Sequence, residues 1–238
     1  MEASVNSPDP ELERLKEGSW REVALIDQAL DEGRIDEDGW HEAMASLIKP
    51  AYLAGENPYT QAGHNGDAAT WEASRGFIAE AFHRSGTFLD VGCASGVLME
   101  SAKRWGANRN LNIEPYGLDI VPELVNLARR RLPHWADRIQ VGNIRSWEPA
   151  NDRFDFVLIR PEYAPATRRV ELVRHVLHRV LKAHGRLIVL AGNEENESRR
   201  VESSITSHGI RVHGRLEVPH PRDNRLQRRL FWIDGSNG

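Results

Sequence analysis

The stretch Phe88-Leu-Asp-Val-Gly-Cys-Ala-Ser-Gly96 delivers an apolar run into a turn of small residues, and a helical pattern opens at Val97. Small residues in such a turn let backbone N–H groups and a helix N-terminus approach a ligand with no side chain in the way. The same pattern also serves a merely tight structural turn. Two further residues add chemistry. Asp119 ends the next apolar run, 23 residues past Gly96, where a carboxylate can accept both hydroxyls of a ribose. Asn143 ends the third run, where an amide can meet an adenine edge. After the fourth run the chain reads Ile159-Arg-Pro-Glu-Tyr-Ala-Pro165, which puts Glu162 and Tyr163 at a strand end, where open parallel sheets bind ligands. Either can orient or deprotonate a reacting group; an Arg160–Glu162 ion pair or a packed Tyr163 is the structural alternative. His64 lies in a loop ahead of the first run, where a histidine is either solvated or a proton acceptor.

These residues need elements to hold them. From Pro10 to Gly33, Leu12, Leu15, Trp20, Val23, Leu25, Ile26 and Leu30 recur at helical spacing. A second helical stretch after Ile35, with Trp40, Ala43, Leu47 and Ile48 on one side, is expected to stop at Pro50, which makes a helical hairpin. Tyr52 to Gly66 reads as loop, and Asp67 as the N-cap of a helix through Trp71, Phe77, Ile78 and Phe82. From Thr87 the pattern alternates. Strand-like runs at 88–91, 116–120, 139–141, 154–159 and 187–191 are separated by helical stretches at 97–105, 122–131 and 167–182. This alternation predicts an α/β fold, a doubly wound parallel sheet with helices on both faces. A helix near 197–207 and two runs flanking His220-Pro-Arg-Asp-Asn224, which reads as a hairpin, end the chain.

Composition narrows the class. At 238 residues, with 40% hydrophobic and 28% charged residues, the chain reads as one enlarged globular domain or a domain with an attachment. The longest apolar runs, such as Leu187 to Ala191, fall far short of the roughly 20 residues that cross a bilayer, so no membrane partner is expected. The start shows no basic region followed by an apolar stretch, and the single cysteine, Cys93, excludes an internal disulfide and a Cys-rich zinc site; both fit a cytoplasmic location. Charge is graded. Residues 1–87 carry 17 Asp and Glu against 7 Lys and Arg, whereas residues 160–238 carry 9 against 15. Either the two ends attract each other or the back half meets an anionic partner.

The pattern D-V-G-C-A-S-G, followed by G-L-D-I at 117–120 and V-G-N-I at 141–144, resembles the class I S-adenosylmethionine-dependent methyltransferases over about residues 69–238. The family's acidic residue and G-x-G-x-G fall on Asp90, Gly92, Ala94 and Gly96, with Ala94 in place of the middle glycine. The resemblance implies a mostly parallel seven-stranded Rossmann-like sheet with an antiparallel last strand over 67–238, and it leaves 1–66 as an arm, helical hairpin and loop forming a lid. It also implies S-adenosyl-L-methionine as cofactor. Asp119 would hold the ribose, Ile120 and Ile144 would sandwich the adenine, and Asn143 would bond near its amino group. A nicotinamide-binding Rossmann domain is the competitor, but it would show G-x-G-x-x-G, whereas position 97 is Val. The expected cofactor set is Asp90, Gly92, Cys93, Ala94, Gly96, Asp119, Ile120, Asn143, Ile144 and Arg160.

Methyl transfer from a sulfonium is an in-line displacement with a charged leaving group, so alignment and a dry site carry most of it. The expected catalytic set is His64, Glu162 and Tyr163. No metal is expected, since Glu162 is the only carboxylate just after the fourth run, and Cys93 lacks the partner that a two-cysteine mechanism needs. The sequence after the fourth run is not the N-P-P-Y of enzymes that modify exocyclic amino groups of bases. Two acceptors remain. A small molecule fits a lid in which Trp20, Trp40, Tyr52 and Tyr59 wall an apolar pocket, unless these rings simply pack the hairpin down. Structured RNA, including ribosomal RNA, is the alternative, suggested by Arg168-Arg169, Arg199-Arg200 and Arg228-Arg229 and by Arg174, Arg179 and Lys182. A catalytically silent cofactor-binding protein is a third reading.

Overall fold

The computed structural model describes residues 10–191, 195–220 and 223–235, and of 10–20, 195–199, 220 and 223–226 the backbone alone. Helices α1 (Pro10–Asp31) and α2 (Glu37–Leu53) form the hairpin. Asp36 caps α2 by accepting the Gly39 N–H at 2.9 Å, and Glu37 and Asp38 add negative charge to its first turn. The stop expected at Pro50 does not occur. The missing proline donor costs one intrahelical bond close to the helix end, and Ala54 N still reaches Pro50 O at 3.0 Å, so α2 continues to Leu53. Trp40 locks the hairpin internally, buried and donating its indole N–H to Asp27 Oδ1 at 2.7 Å.

Helix α3 (Ala68–Arg75) opens on the expected cap, with Asp67 and Thr70 bonding each other's backbone in a capping box, and a 3₁₀ turn over Gly76–Ala81 leads into the sheet. The alternating part comprises β1 (Gly86–Val91), α4 (Val97–Asn108), β2 (Ile113–Asp119), α5 (Pro122–Arg131), β3 (Ile139–Val141) and β4 (Phe154–Ile159). Then follow α6 (Arg169–His175), β5 (Leu181–Ala191), α7 (Glu195–Ser207), β6 (Gly214–His220) and β7 (Asp223–Asp234). The strand order is β3-β2-β1-β4-β5-β7-β6. Strands β1 to β5 pair in parallel, and β7 runs antiparallel to both β5 and β6.

Alternation along the central strands explains the layers. Leu89, Val157, Leu187, Val189 and Phe231 pack with Leu172, Val176, Val201 and Ile205 on the α6–α7 face. Phe88, Phe156, Leu158, Ile188 and Leu230 pack with Trp71, Val97 and Trp105 on the α3–α4 face. Both faces are covered, so these strands read as continuous apolar runs. Ala183-His-Gly185 makes an irregularity inside β5: His184 takes φ 60, and the pairing jumps from Phe154↔Leu181 to Phe156↔Arg186. Among the described residues no helix is long and apolar enough to cross a membrane.

Candidate active site

The turn after β1 is built from left-handed backbone. Gly92, Ala94 and Gly96 have φ of 68, 47 and 76. Only glycine takes such angles freely, and Ala94 is therefore the strained member. The amides of Gly92 and Cys93 both donate to Leu118 O, at 2.7 and 3.1 Å, and so tie the turn to the end of β2. Asp119 completes the tie: Oδ2 accepts the Ala94 N–H and Oδ1 the Val121 N–H, each at 2.9 Å. Burial raises the Asp119 carboxyl above its usual range, opposed by the bonds from Val121 and Ala94. Asp90 is buried more deeply. Its Oδ2 has no hydrogen-bond partner, and burial followed by the Asp119 charge pushes its carboxyl well up.

Other members of the expected cofactor set lie around this turn in different ways. Cys93 points its thiol into the core beside Met99, Val125 and Ala128, and burial raises it well above an ordinary thiol. Ile120 packs with Ala94, Val121 and Leu124, whereas Ile144 belongs to the α6–α7 core, so the two are not brought into one apolar cluster. Asn143 turns its Oδ1 to the Arg145 N–H at 3.0 Å, which makes a local Asx turn.

Of the expected catalytic residues, Glu162 and Tyr163 lie with Arg160 just after β4, whereas His64 lies beside Thr70 and Trp71. Arg160 Nη2 donates to Glu162 Oε1 at 3.2 Å, while Glu162 Oε2 is buried without a partner. Burial would raise the Glu162 carboxyl, but Arg160, hydrogen bonding and Arg169 outweigh it and hold it below the usual range. Tyr163 is packed: its hydroxyl sits where a Cβ on Gly92 would fall. Burial raises this phenol well above normal, and the negative charge of Asp90 adds to it. His64 is 9% exposed, with Nε2 at 3.2 Å from Thr70 Oγ1 and its ring edge-on to Trp71 at 5.4 Å. Burial, then Arg75 and Arg228, push it down to about 4, so the imidazole is neutral at pH 7.

The hairpin and its following loop cover the turn. Ser95 Oγ donates to Pro58 O at 2.6 Å, Tyr52 lays its hydroxyl against Gly63, and Ala45, Tyr52 and Ala62 pack on Ala94, Val121 and Leu124. Tyr59 packs against Trp71 at 5.7 Å. Of the four expected wall residues, Tyr52 packs on the turn, Tyr59 packs on the α3–α4 core at Trp71, Trp40 stays inside the hairpin, and the Trp20 side chain lies outside the described residues. Ion pairs clamp α2 from outside: Arg145 Nε to Glu37 Oε1 at 2.7 Å and Lys49 Nζ to Glu123 Oε1 at 3.0 Å. Arg75 was not singled out in the sequence, since the last turn of a helix is an ordinary place for an arginine.

A doubly wound sheet with a glycine-rich turn after its first strand, a carboxylate after its second and an antiparallel seventh strand defines a nucleotide-cofactor fold of the methyltransferase type. Residues 88–185 match a family described as methyltransferase domain, so the chain carries a methyltransferase domain, with S-adenosylmethionine as its cofactor. No curated protein matches the sequence. By fold the chain is similar to 1,6-didemethyltoxoflavin-N1-methyltransferase of Burkholderia thailandensis, solved with 1,6-didemethyltoxoflavin and S-adenosylhomocysteine. That match has a TM-score of 0.61 at 14% identity and covers 85% of this chain and 92% of that one. The PH0226 protein of Pyrococcus horikoshii gives 0.59 at 14%, covering 78% and 98%. The N-methyltransferase NodS of Bradyrhizobium japonicum, in complex with S-adenosylhomocysteine, gives 0.51 at 16%, covering 89% and 99%.

Proposed function

We propose that this enzyme transfers a methyl group to a nitrogen or oxygen of a small molecule seated between the α1–α2 hairpin and the ends of β4 and β5, with residues 1–66 as its lid and 67–238 as its catalytic domain. The observation that carries the reading is the use of the basic back half for internal pairing. Arg168 meets Glu37 and Glu171 at 3.7 and 2.9 Å, Arg229 meets Glu217 at 3.0 Å, Arg179 meets Glu148 at 3.7 Å and Lys182 meets Asp155 at 2.9 Å. Glu37 of the acidic front thus meets Arg168 of the basic back, and each of these four cations already has a carboxylate partner where a phosphate backbone would otherwise have to supply one.

Two observations support the fit to S-adenosylmethionine. Each Asp119 oxygen has one backbone donor and so keeps a lone pair for a hydroxyl, and the buried, unpartnered Asp90 Oδ2 calls for an N–H donor. When bound, this cofactor supplies a methyl group on a sulfonium. Asp119 and the Gly92–Gly96 turn would hold it, with Asp90 beneath. Tyr163 would fix the acceptor against the turn, and the one proton released by an acceptor N–H or O–H would go to Glu162 or to the neutral His64. The lid excludes water, which together with alignment can contribute roughly 7 to 11 kcal/mol. In the deciding experiment, methyl-labelled cofactor is offered with total RNA or with a small-metabolite extract. Label in the extract supports the reading; label in RNA alone overturns it.

A further inference from the structure

Three guanidinium groups meet beside the acceptor side of this site with too little negative charge to balance them. Arg75 ends α3, and its Nη1 donates to Ser74 O at 3.4 Å. Arg228 reaches in from β7, 6% exposed, and its Nη1 donates to the same carbonyl at 3.2 Å. Two cations from residues 153 positions apart thus share one neutral oxygen. Arg228 Nε is buried and has no partner. Arg160, from the end of β4, is the third, and Glu162 takes its charge at 3.2 Å. Among the described residues neither Arg75 nor Arg228 has a carboxylate partner. Trp71 lies 5.7 Å beneath the Arg75 guanidinium, and the neutral ring of His64 lies against the same indole.

Burying a guanidinium without a counter-charge is costly, and two together are worse. Burial first, then Arg160 and Arg228, pulls Arg75 down to about 9, so it is still a cation at pH 7. A planar carboxylate or a phosphate, which both accept paired hydrogen bonds from guanidinium, would satisfy the free donors and cancel the repulsion.

We infer that Arg75 and Arg228, with Arg160 alongside, form a binding site for the anionic group of the methyl acceptor, a carboxylate or phosphate. The small-molecule reading above thereby becomes one of a small acid. The inference rests on that reading for the anion's purpose, although not for its binding. Position favours the acceptor over the cofactor's own carboxylate. Arg228 follows Gln227 and precedes Arg229, which pairs with Ala191 at the end of β5, whereas the cofactor half over β1 and β2 presents Asp90 and Asp119.

The test uses the full-length protein with benzoate and inorganic phosphate as probes, benzamide as the uncharged control, and chloride at matched ionic strength. Calorimetry should show at least one of the two anions binding while benzamide does not, with affinity weakened about tenfold or more in Arg75→Gln and in Arg228→Gln. S-adenosylhomocysteine should bind each variant within about twofold of the parent, since the arginines are assigned to the other half of the site. Without ligand, Arg75→Gln should melt no lower than the parent, because it removes repulsion. If Arg228→Gln fails to fold, Arg75→Gln and Arg75→Lys report on the same site, with lysine recovering part of the affinity. Absence of anion binding, or equal binding by parent and variants, overturns the inference. So does a parallel loss of S-adenosylhomocysteine affinity, which would assign the arginines to the cofactor's carboxylate, or a clearly lowered melting temperature in Arg75→Gln, which would make them structural. Failure of the methyl-transfer reading would appear separately, as a parent protein that does not bind S-adenosylhomocysteine.

Discussion

Over β1 and β2 the site is made mostly of backbone: one continuous turn with left-handed angles at Gly92, Ala94 and Gly96, its amides bonded to Leu118 O and to the Asp119 carboxylate. Over β4 and β5 it is made of side chains drawn from α3, the loop after β4, and β7, and Glu162 Oε2 and Arg228 Nε are buried there without a partner. In the first half, among the described residues, Asp90 Oδ2 is left without a partner, as is Nη2 of Arg131, whose Nε bonds the Ser95 carbonyl. A backbone-built half is rigid and holds an invariant part of a ligand, whereas a half built of side chains can change its charge and shape without disturbing the sheet.

The largest expected effect breaks the first half. Asp119→Ala removes the acceptor for two backbone amides and, on the proposed reading, for the ribose, and hydrogen bonds to charged groups contribute about 1.5 to 3 kcal/mol each. S-adenosylhomocysteine affinity measured by calorimetry should fall by well over tenfold with the fold intact. An unchanged affinity, or a preference for NAD, would move the cofactor out of this half.

Glu162→Gln probes the second half alone. If the carboxylate accepts the acceptor's proton, kcat should fall by roughly a hundredfold, the lower range of general-base contributions, while S-adenosylhomocysteine affinity stays level. A loss of cofactor affinity instead would mean that the halves are not separable at this residue.

A control lies at the opposite, amino-terminal end of β4. Asp155 accepts from Lys182, Arg84, and Thr87 N and Oγ1, at 2.8–3.0 Å. Burial opposes ionisation, but these partners prevail and bring the carboxyl from 3.8 down to about 2. Because the folded value lies below the unfolded one, the stability it lends, about 2 kcal/mol, is present above pH 4 and lost as pH falls through 2. Asp155→Asn should lower the melting temperature at neutral pH, flatten the acid limb between pH 4 and 2, and leave cofactor affinity unchanged.

The smallest effect sharpens the backbone argument. Left-handed alanine costs about 1 to 2 kcal/mol, and glycine gives back about 0.5 to 1 through the entropy of the unfolded chain. Ala94→Gly should therefore raise the thermal midpoint by a few degrees at most, without weakening S-adenosylhomocysteine. A drop would show the turn to be relaxed as it stands.

The same contrast decides what could be read in advance. The turn from Asp90 to Gly96 is contiguous, so its residues announce their geometry; Asp119 follows because strand order puts the end of β2 beside β1. The pairing of Arg75 with Arg228 has no such signal. It exists because β7 inserts between β5 and β6, a tertiary fact with no local spacing to carry it. Cys93 lies inside the legible motif, yet its side chain serves packing, because Gly117 on β2 leaves room for the sulfur. The charge gradient was visible, but whether it met itself or a partner depended on Glu37 reaching Arg145 and Arg168 across the fold.

The bond from Ser95 Oγ to Pro58 O joins a residue of the Gly92–Gly96 turn to the covering segment. Two segments joined in this way share their fluctuations, and by thermodynamic reciprocity whatever steadies one steadies the other by the same free energy. Amide hydrogen exchange over residues 55–66 should slow on adding S-adenosylhomocysteine alone, and Ser95→Ala should uncouple the two. The enzyme would then work in a fixed order of entry, with the first ligand setting the waiting time of the second.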